Sequence, residues 1–288
     1  MYQLKPWVRN GDREILQQQD IWISESECVP ILTFPLLEQI GIVKHAFTTR
    51  AGGVSSGEWA SMNLSYTRGD DASHVTENFK RMAAVLGTDI EHMVCSMQTH
   101  TTNVLRVTAA DGGNGIVRPL PYEDVDGLIT DEPGVVLATF FADCVPLFFV
   151  DPVHHAIGLS HSGWRGTVHK MGQVTIEHMK RAFGTCPQDL YCAIGPSICQ
   201  SCYEVSEDVA EQFLESFGTS DRLCEKKDHG KYQLNLWEAN RQVLLRAGVA
   251  ESRLQITDLC TCCNHYNLFS HRYSNGKRGN LAAFLTLK

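Results

Sequence analysis

One stretch of the sequence, Val135 to Gly166, limits the fold of this chain more than any other. Its first part, Val135 to Val150, is apolar except for Asp143. A membrane span requires about 20 consecutive apolar residues, so this interrupted run is too short to be one. Proline cannot donate a hydrogen bond within a central strand. The run therefore predicts two buried strands with a break near Asp143–Pro146.

A second apolar run, Ala156 to Ser160, ends directly at His161. The turn Gly163-Trp164-Arg165-Gly166 follows shortly after it. Neighbouring strands would thus bring the thiol of Cys144 and the imidazole of His161 to the same edge of one core. We expect the active site at that edge.

The bulk composition is that of a globular protein with no specialised surface. The chain has 288 residues, 43% of them hydrophobic and 20% charged. The net charge of −8 argues against a nucleic-acid or anionic-membrane surface, which would need a basic stripe. Core-forming patterns recur throughout, which predicts a peripheral N-terminal segment (1–30) followed by a single domain (31–288).

The cysteine content indicates the compartment. Eleven cysteines is an odd number, and the N-terminus does not resemble a secretory signal. Reduced thiols are the default in such a chain, with metal binding or catalysis as the special cases. The sequence therefore predicts a cytoplasmic protein.

Two helices are predicted near the central stretch. The first runs from Asp71 to Gly87, with a polar cap at its start and a glycine at its end, and is interpreted as scaffold. The second runs from Thr167 to Phe183. Its N-terminus would lie beside His161 and Arg165, where the helix dipole favours an oxyanion or a phosphate.

A glycine-rich loop is another candidate anion site. The strand Val43–Phe47 leads into Arg50 and then into the segment Gly52–Gly57. Backbone N–H groups and a bidentate guanidinium can together hold an anion. A flexible surface loop would give the same composition, so the sequence leaves both readings open.

Three separated residues are candidate metal ligands: His100, Cys144 and His161. Two imidazoles and a thiolate suit zinc, and three protein ligands leave a fourth position for water, whose pKa zinc lowers to about 7. Without a metal, Cys144 could instead be a nucleophile with His161 as its base. An inert buried thiol with a satisfied histidine is the remaining alternative.

A second cluster lies near the C-terminus, in which Cys260, Cys262 and Cys263 precede His265 and His271. The close spacing suggests structural zinc. However, a zinc ribbon or finger requires a second cysteine pair, which this cluster lacks. We therefore expect reduced thiols here.

The motifs taken together resemble the bacterial multicopper-polyphenol-oxidase-like family, also called the laccase-domain family. The resemblance runs nearly from end to end. Its most specific elements are Ala142-Asp143-Cys144-Val145-Pro146 and His161-Ser162-Gly163-Trp164-Arg165-Gly166. Further matching segments are Phe47-Thr48-Thr49-Arg50, Met62-Asn63-Leu64-Ser65, Gln98-Thr99-His100, Asp126-Gly127-Leu128-Ile129-Thr130, Gly195-Pro196-Ser197-Ile198, Cys202-Tyr203-Glu204-Val205 and Asp258-Leu259-Cys260-Thr261.

The resemblance implies an α+β fold of layered mixed β-sheets with outer helices, similar in its core to the cytotoxic necrotizing factor cysteine-hydrolase fold. It implies zinc bound by His100, Cys144 and His161. Copper is less suitable, because multicopper centres use several His-x-His pairs that this sequence lacks. Relatives are described as purine nucleoside phosphorylases that act on adenosine, inosine or S-methyl-5′-thioadenosine, and also as adenosine deaminases.

From the residues and the resemblance together, nucleosides and phosphate are the expected partners. The predicted catalytic residues are Cys144, His161, Asp143 and Arg165. The predicted substrate and phosphate ligands are Arg50, Asn63, Gln98 and Asp126. Near the C-terminus, Tyr273 and Asn280 stand where the family commonly has arginines, which puts in doubt a phosphate contact from that loop. The alternatives are a Cys-His amide hydrolase that edits peptidoglycan precursors and a non-catalytic metal-binding protein.

Overall fold

The computed structural model describes residues 2–288, which form fifteen strands and seven α-helices. The strands are β1 (Gln17–Trp22), β2 (Cys28–Thr33), β3 (Val43–Thr48), β4 (Met93–Cys95), β5 (Val104–Arg106), β6 (Gly127–Thr130), β7 (Val136–Phe141), β8 (Val145–Asp151), β9 (Ala156–Ser162), β10 (Tyr191–Ile194), β11 (Glu204–Ser206), β12 (Cys224–Lys226), β13 (Lys231–Leu234), β14 (Leu254–Ile256) and β15 (Leu281–Leu287). The helices are α1 (Pro35–Ile40), α2 (Ala72–Leu86), α3 (Trp164–Val168), α4 (Met171–Phe183), α5 (Glu207–Phe217), α6 (Leu236–Arg246) and α7 (His271–Ser274).

The strands form two six-stranded mixed sheets and one small antiparallel sheet. The first sheet has the order β1-β2-β3-β15-β7-β4, antiparallel except for the β4–β7 pair. The second has the order β14-β10-β8-β9-β6-β5, with parallel pairs only at its two edges. The three-stranded sheet has the order β11-β13-β12. The N-terminal residues supply the edge strand β1 and begin β2.

Burial on both faces of the large sheets produces a layered fold. Along β8, Phe148 points into the core between the two sheets, and the next residue, Phe149, points into a second core under the helices. Met179 of α4 and Phe213 of α5 belong to that second core. On the far side of the first sheet, Phe79 of α2 packs in a third core. The layers are therefore helix, sheet, sheet and helices, which confirms the predicted α+β class.

The predicted strands around the central stretch are confirmed, with one correction. The break between β7 and β8 comprises residues 142–144, and Pro146 lies inside β8. The ladder between β8 and β10 ends at the pair Leu147–Ile194. Pro146 therefore lies just beyond this ladder, where β10 needs no backbone N–H donor from β8.

The helix predicted from Asp71 to Gly87 is confirmed. The Asp71 carboxylate accepts a hydrogen bond from the N–H of Ser73, and Gly87 ends the helix with a φ of 71°. The helix predicted from Thr167 to Phe183 is confirmed from Met171 onward but is interrupted just before that residue. Lys170 has a φ of 60° and separates α3 from α4. Thr167 of α3 accepts a hydrogen bond from the side chain of Asn240 in α6, and α4 packs on both β9 and α6.

Two crossovers between the large sheets position the site. The loop from β4 to β5 passes from the first sheet to the second and carries His100. The loop from β7 to β8 makes the same crossing and carries Cys144. His161 lies in β9 opposite Pro146 of β8, directly beside that second loop. None of the helices in residues 2–288 has the length and hydropathy that crossing a membrane requires.

Candidate metal and catalytic site

The three predicted metal ligands converge at the two crossovers. One donor atom each of His100, Cys144 and His161 lies within 4.8 Å of the other two. The imidazole centroids of His100 and His161 are 4.9 Å apart. His161 is buried, Cys144 is half-buried and His100 is exposed. The group is thus open to solvent on one side only.

A single buried carboxylate positions both histidines. Asp126 is 0% exposed, and its Oδ1 accepts a hydrogen bond from Nδ1 of His161 at 2.7 Å. The same carboxylate accepts backbone hydrogen bonds from Thr99, His100 and Thr101 at 2.9–3.1 Å. These bonds hold the loop in a conformation in which His100 has a φ of 67°. Asp126 is therefore a positioning residue.

The electrostatics of the site favour a thiolate beside an imidazolium in the metal-free protein. Burial would raise the pKa of the Cys144 thiol, but the charge of His161 and hydrogen bonds from His100 and His161 lower that pKa to about 6. Burial would lower the pKa of His161, but the Cys144 thiolate and the Asp126 carboxylate raise it to about 9. The pKa of Asp126 is lowered. Burial alone would raise this pKa, but the hydrogen bonds that the carboxylate accepts from His161 and from the loop outweigh the effect of burial.

The turn after β9 presses against the ligands. A Cβ atom added at Gly163 would lie 2.8 Å from Nδ1 of His100 and 3.1 Å from Sγ of Cys144. Only glycine can bring the backbone this close. This close approach explains why a glycine occupies position 163, the first position of the Gly-Trp-Arg-Gly motif.

The three residues line a cavity of about 840 Å³. Its wall combines aromatic and apolar side chains, among them Tyr66, Phe140 and Phe141, with charged side chains, among them Arg68, Arg118 and Glu123. The ring of Phe141 lies 5.6 Å from that of His161. A cavity of this size that combines apolar surface with convergent polar groups is typical of small-molecule sites.

A buried cation opens onto the same cavity. Arg278 lines it and is only 8% exposed. Its guanidinium contacts the carbonyl of Gly279, the amide oxygen of Asn280 and the ring of His271, none of which is a carboxylate. Within residues 2–288, its Nε has no hydrogen-bond partner. Burial and the neighbouring Arg68 lower the pKa of Arg278 to about 10, which still leaves it charged at neutral pH.

Comparison with known proteins decides the family. Residues 44–288 match the family described as multi-copper polyphenol oxidoreductase laccase. The chain belongs to this family. Its membership confirms the resemblance inferred from the sequence motifs.

Named relatives of this laccase family are similar over most of their length. The chain is 39% identical to purine nucleoside phosphorylase YlmD of Geobacillus stearothermophilus, covering 83% of this chain and 88% of the relative. It is 35% identical to adenosine deaminase RL5 from an unknown prokaryotic organism, covering 79% and 87%. The crystal structure of YlmD from Geobacillus stearothermophilus superposes with a TM-score of 0.86, at 35% identity, covering 96% of this chain and 100% of that one.

In this family member, Arg50 does not reach the cavity. Its guanidinium donates to the backbone carbonyls of Ala60 and His265 and lies 4.6 Å from the ring centroid of Phe269. It therefore joins two loops. Arg50 is not among the residues that line the cavity, so the structure does not support its interpretation as a phosphate ligand.

The backbone N–H groups of the glycine-rich loop are bonded within the protein. The N–H groups of Gly53 and Val54 donate to the side chains of Ser61 and Asn78, and the N–H of Ser55 donates to the Ser61 carbonyl. These groups are not available to an anion. The loop is a packed connection, so both readings drawn from its composition need correction.

The other predicted ligands have different positions. Asn63 is buried and bonds to Ser65, Asp70 and Asn280, so it holds the chain segments beside the cavity. Gln98 lines the cavity, but its amide pairs with the backbone of Phe140. Gln98 thus shapes the wall, with its polar atoms already bonded.

Asp143 and Arg165 flank the site without lining the cavity. The Asp143 carboxylate accepts hydrogen bonds from the hydroxyl of Thr261 at 2.6 Å and the N–H of Arg272 at 2.7 Å. Arg165 is exposed, with its guanidinium 4.4 Å from the Trp164 ring. The predicted anion site at a helix N-terminus is also corrected, since α3 is only five residues long.

Arg68, Arg118 and Arg278 are cations of the cavity wall that the sequence did not single out. Arg278 lies just before the closing strand β15. The sequence signal was present, because the Arg278-Gly279-Asn280 segment matches a family motif in part.

Proposed function

We propose that this chain is a zinc-dependent purine nucleoside phosphorylase that acts on adenosine, inosine and S-methyl-5′-thioadenosine and also deaminates adenosine. The names of its relatives support both activities. One observation carries the proposal. A single cavity is lined by the His100, Cys144 and His161 group and by a buried guanidinium that forms no direct ion pair with a carboxylate within the described residues.

The donor set fits zinc. Two imidazoles and one thiolate are typical zinc ligands, and three protein ligands leave one position for a substrate or water. Asp126 occupies Nδ1 of His161, so Nε2 is the nitrogen left to bind a metal, an arrangement common at zinc sites. When bound there, zinc supplies Lewis-acid chemistry to an oxygen in the cavity.

Phosphorolysis places a particular demand on the cavity. A phosphate oxygen bonds to C1′ of the ribose while the bond from C1′ to N9 breaks, and the departing base takes up a proton. The phosphate is a dianion and binds best to a guanidinium in a poorly solvated site. Arg278 offers that group, and Arg68 adds a second positive charge to the cavity wall.

Deamination would use the same nucleoside position with water as the second substrate. The oxygen of water adds at C6, and ammonia leaves. Tyr66, Phe140 and Phe141 provide faces against which a purine can pack. The two reactions thus differ in their need for Arg278, because only one of them binds phosphate.

The proposed setting is the cytoplasm. All eleven cysteines are free, which suits a reducing compartment. The partners are small molecules, namely purine nucleosides and phosphate.

Product analysis tests the proposal. Zinc-loaded protein is incubated with adenosine, with and without phosphate, and the products are separated by chromatography. The proposal expects adenine and ribose 1-phosphate only with phosphate, and inosine in both reactions. Absence of ribose 1-phosphate from adenosine, inosine and S-methyl-5′-thioadenosine alike contradicts the phosphorylase assignment.

A second candidate is a cysteine amide hydrolase that edits peptidoglycan precursors. The observation in its favour is the order Cys144, His161, Asp126, in which a lowered thiol pKa is joined to an imidazole held by a carboxylate. Amino-acid release from muropeptide precursors by chelator-treated protein, abolished in Cys144→Ser, supports this reading. Release that requires added zinc, or no release at all, contradicts it.

A further inference from the structure

Four cysteines outside the cavity lie together in the structure. They form two Cys-x-x-Cys pairs, Cys199–Cys202 and Cys260–Cys263. All four sulfur atoms are within 4.8 Å of one another. From the sequence alone, only Cys260 and Cys263 of these four were placed in a cluster, and no second cysteine pair was found for them. The structure corrects this, because Cys199 and Cys202 are that second pair. The partner lies about sixty residues earlier in the chain.

The topology explains why the pairs meet. Cys199 follows β10 and Cys260 follows β14, and these two strands are parallel neighbours. Their carboxyl ends lie at the same edge of the second sheet. Ser197 and Cys260 continue the parallel pairing beyond the strands as an isolated bridge.

The distances match one tetrahedral metal ion. Zinc–sulfur bonds of about 2.3 Å at tetrahedral angles place the sulfur atoms about 3.8 Å apart. The Sγ atom of Cys263 lies 3.9 Å from that of Cys199 and 3.5 Å from that of Cys202. A polynuclear iron–sulfur cluster would hold the four sulfur atoms farther apart, since they bind different iron atoms.

The surrounding backbone also suits a thiolate site. Sγ of Cys260 accepts hydrogen bonds from the N–H groups of Cys199 at 3.2 Å and Cys263 at 3.4 Å. Bonds of this kind stabilise sulfur as a thiolate. Cys199 and Cys260 are buried and Cys202 and Cys263 are half-buried, so a bound ion would be shielded.

We propose that Cys199, Cys202, Cys260 and Cys263 bind one structural zinc ion that fastens the turns behind Cys144. Ile198, beside the first pair, donates its N–H to the carbonyl of Asp143 at 3.0 Å. Thr261, inside the second pair, bonds to the Asp143 carboxylate. The ion therefore supports the segment that carries Cys144, while remaining separate from the cavity.

Metal analysis of the full chain in a Cys144→Ala background tests this site independently of the proposed function. The background removes one ligand of the other group. We expect about one zinc ion per chain in Cys144→Ala, and its loss when Cys263→Ser is added. The matched control is Cys262→Ser, a neighbouring half-buried thiol outside the set of four, which should retain the ion.

X-ray absorption of the Cys144→Ala protein provides a measurement that does not depend on the Cys263→Ser variant folding. Four sulfur neighbours at about 2.3 Å from zinc are expected. Nitrogen or oxygen ligands at this zinc, a zinc-free protein after reducing purification with added zinc, or a disulfide between Cys202 and Cys263 overturns the proposal. Loss of zinc from Cys262→Ser but not from Cys263→Ser also overturns it.

Discussion

The carboxylate of Asp126 accepts a hydrogen bond from Nδ1 of His161 while it also accepts the backbone N–H of His100. One buried group thus fixes the ring of one candidate ligand and the backbone of another. The relationship joins β9 and the β4–β5 loop to the residue that directly precedes β6. The predictions about the site depend on it.

Replacing Asp126 with asparagine should weaken metal binding by about 10- to 100-fold. The asparagine amide keeps the shape of the carboxylate but loses its charge. Its NH₂ group would face hydrogen-bond donors of His161 and of the loop, which cannot accept a hydrogen bond from it. A zinc competition titration against a chelator measures the change. Asp124→Asn is the matched control, because Asp124 in the same region bonds through its side chain to the Thr99 hydroxyl. Equal effects in both variants would contradict the role of Asp126.

Metal-stripped protein should show a reactive Cys144 at neutral pH. The thiolate is present above its pKa, which is lowered to about 6, so labelling by iodoacetamide should fall as the pH drops through about 6. Peptide mass spectrometry follows the labelling from pH 5 to 8. The buried Cys95, whose pKa is raised by burial, serves as the unreactive reference. Labelling of Cys144 that begins only above pH 8 would be inconsistent with the site electrostatics.

Removal of the Thr261 hydroxyl should destabilise the protein. Thr261 donates to the buried Asp143 carboxylate, and Thr261→Val leaves that group with one donor fewer, at a cost of about 1–3 kcal/mol. Denaturant unfolding measures it. Thr139→Val is the control, since the buried Thr139 hydroxyl has no partner within residues 2–288 and its loss should cost little. Similar costs for both variants would show that the hydrogen bond from Thr261 to Asp143 does not stabilise the fold.

Features of the fold that depend on neighbouring residues could be predicted from the sequence, whereas features that depend on contacts between distant residues could not. The helix from Asp71 to Gly87 was predicted because its cap, its apolar face and its terminating glycine are local signals. The break at Lys170 has no such local signal, because neither glycine nor proline marks it, and Thr167 of the preceding helix bonds to Asn240, which is far away in the chain.

The same limit applied to the site. His100, Cys144 and His161 could be singled out, because thiols and imidazoles at strand ends are unusual. The position of Arg50 outside the cavity could not be predicted, because sequence cannot show that its Nε and Nη1 bond to Ala60 and His265. Arg278 was overlooked since its burial and lack of a carboxylate partner exist only in the folded chain.

His45 should make stability depend on pH. It is buried and accepts the N–H of Phe34 at 2.8 Å, and burial lowers its pKa from 6.5 to about 3. The unfolded chain therefore binds more protons between these values, so stability is full above pH 6.5 and is lost as the pH falls. At pH 5 the loss is about 2 kcal/mol.

His45→Gln keeps an acceptor and removes this titration. Its unfolding free energy should change less between pH 8 and 5 than that of the wild type, by about the same 2 kcal/mol. His74, which is only partly buried and lies 3.8 Å from Asp70, provides a control substitution, His74→Gln. Identical pH dependence in His45→Gln and wild type would show that His45 is not responsible.

The most direct test of the account compares two reactions in one variant, Arg278→Gln. The rate of phosphorolysis of adenosine at subsaturating phosphate should fall by about ten- to a hundred-fold relative to the rate of deamination, because loss of a charged hydrogen bond costs about 1.5–3 kcal/mol. Arg106→Gln, which removes an exposed arginine paired with Asp131, should leave the ratio unchanged. If Arg278→Gln lowers both reactions equally, or neither, phosphate does not bind at Arg278 and the proposed catalytic cavity is wrong.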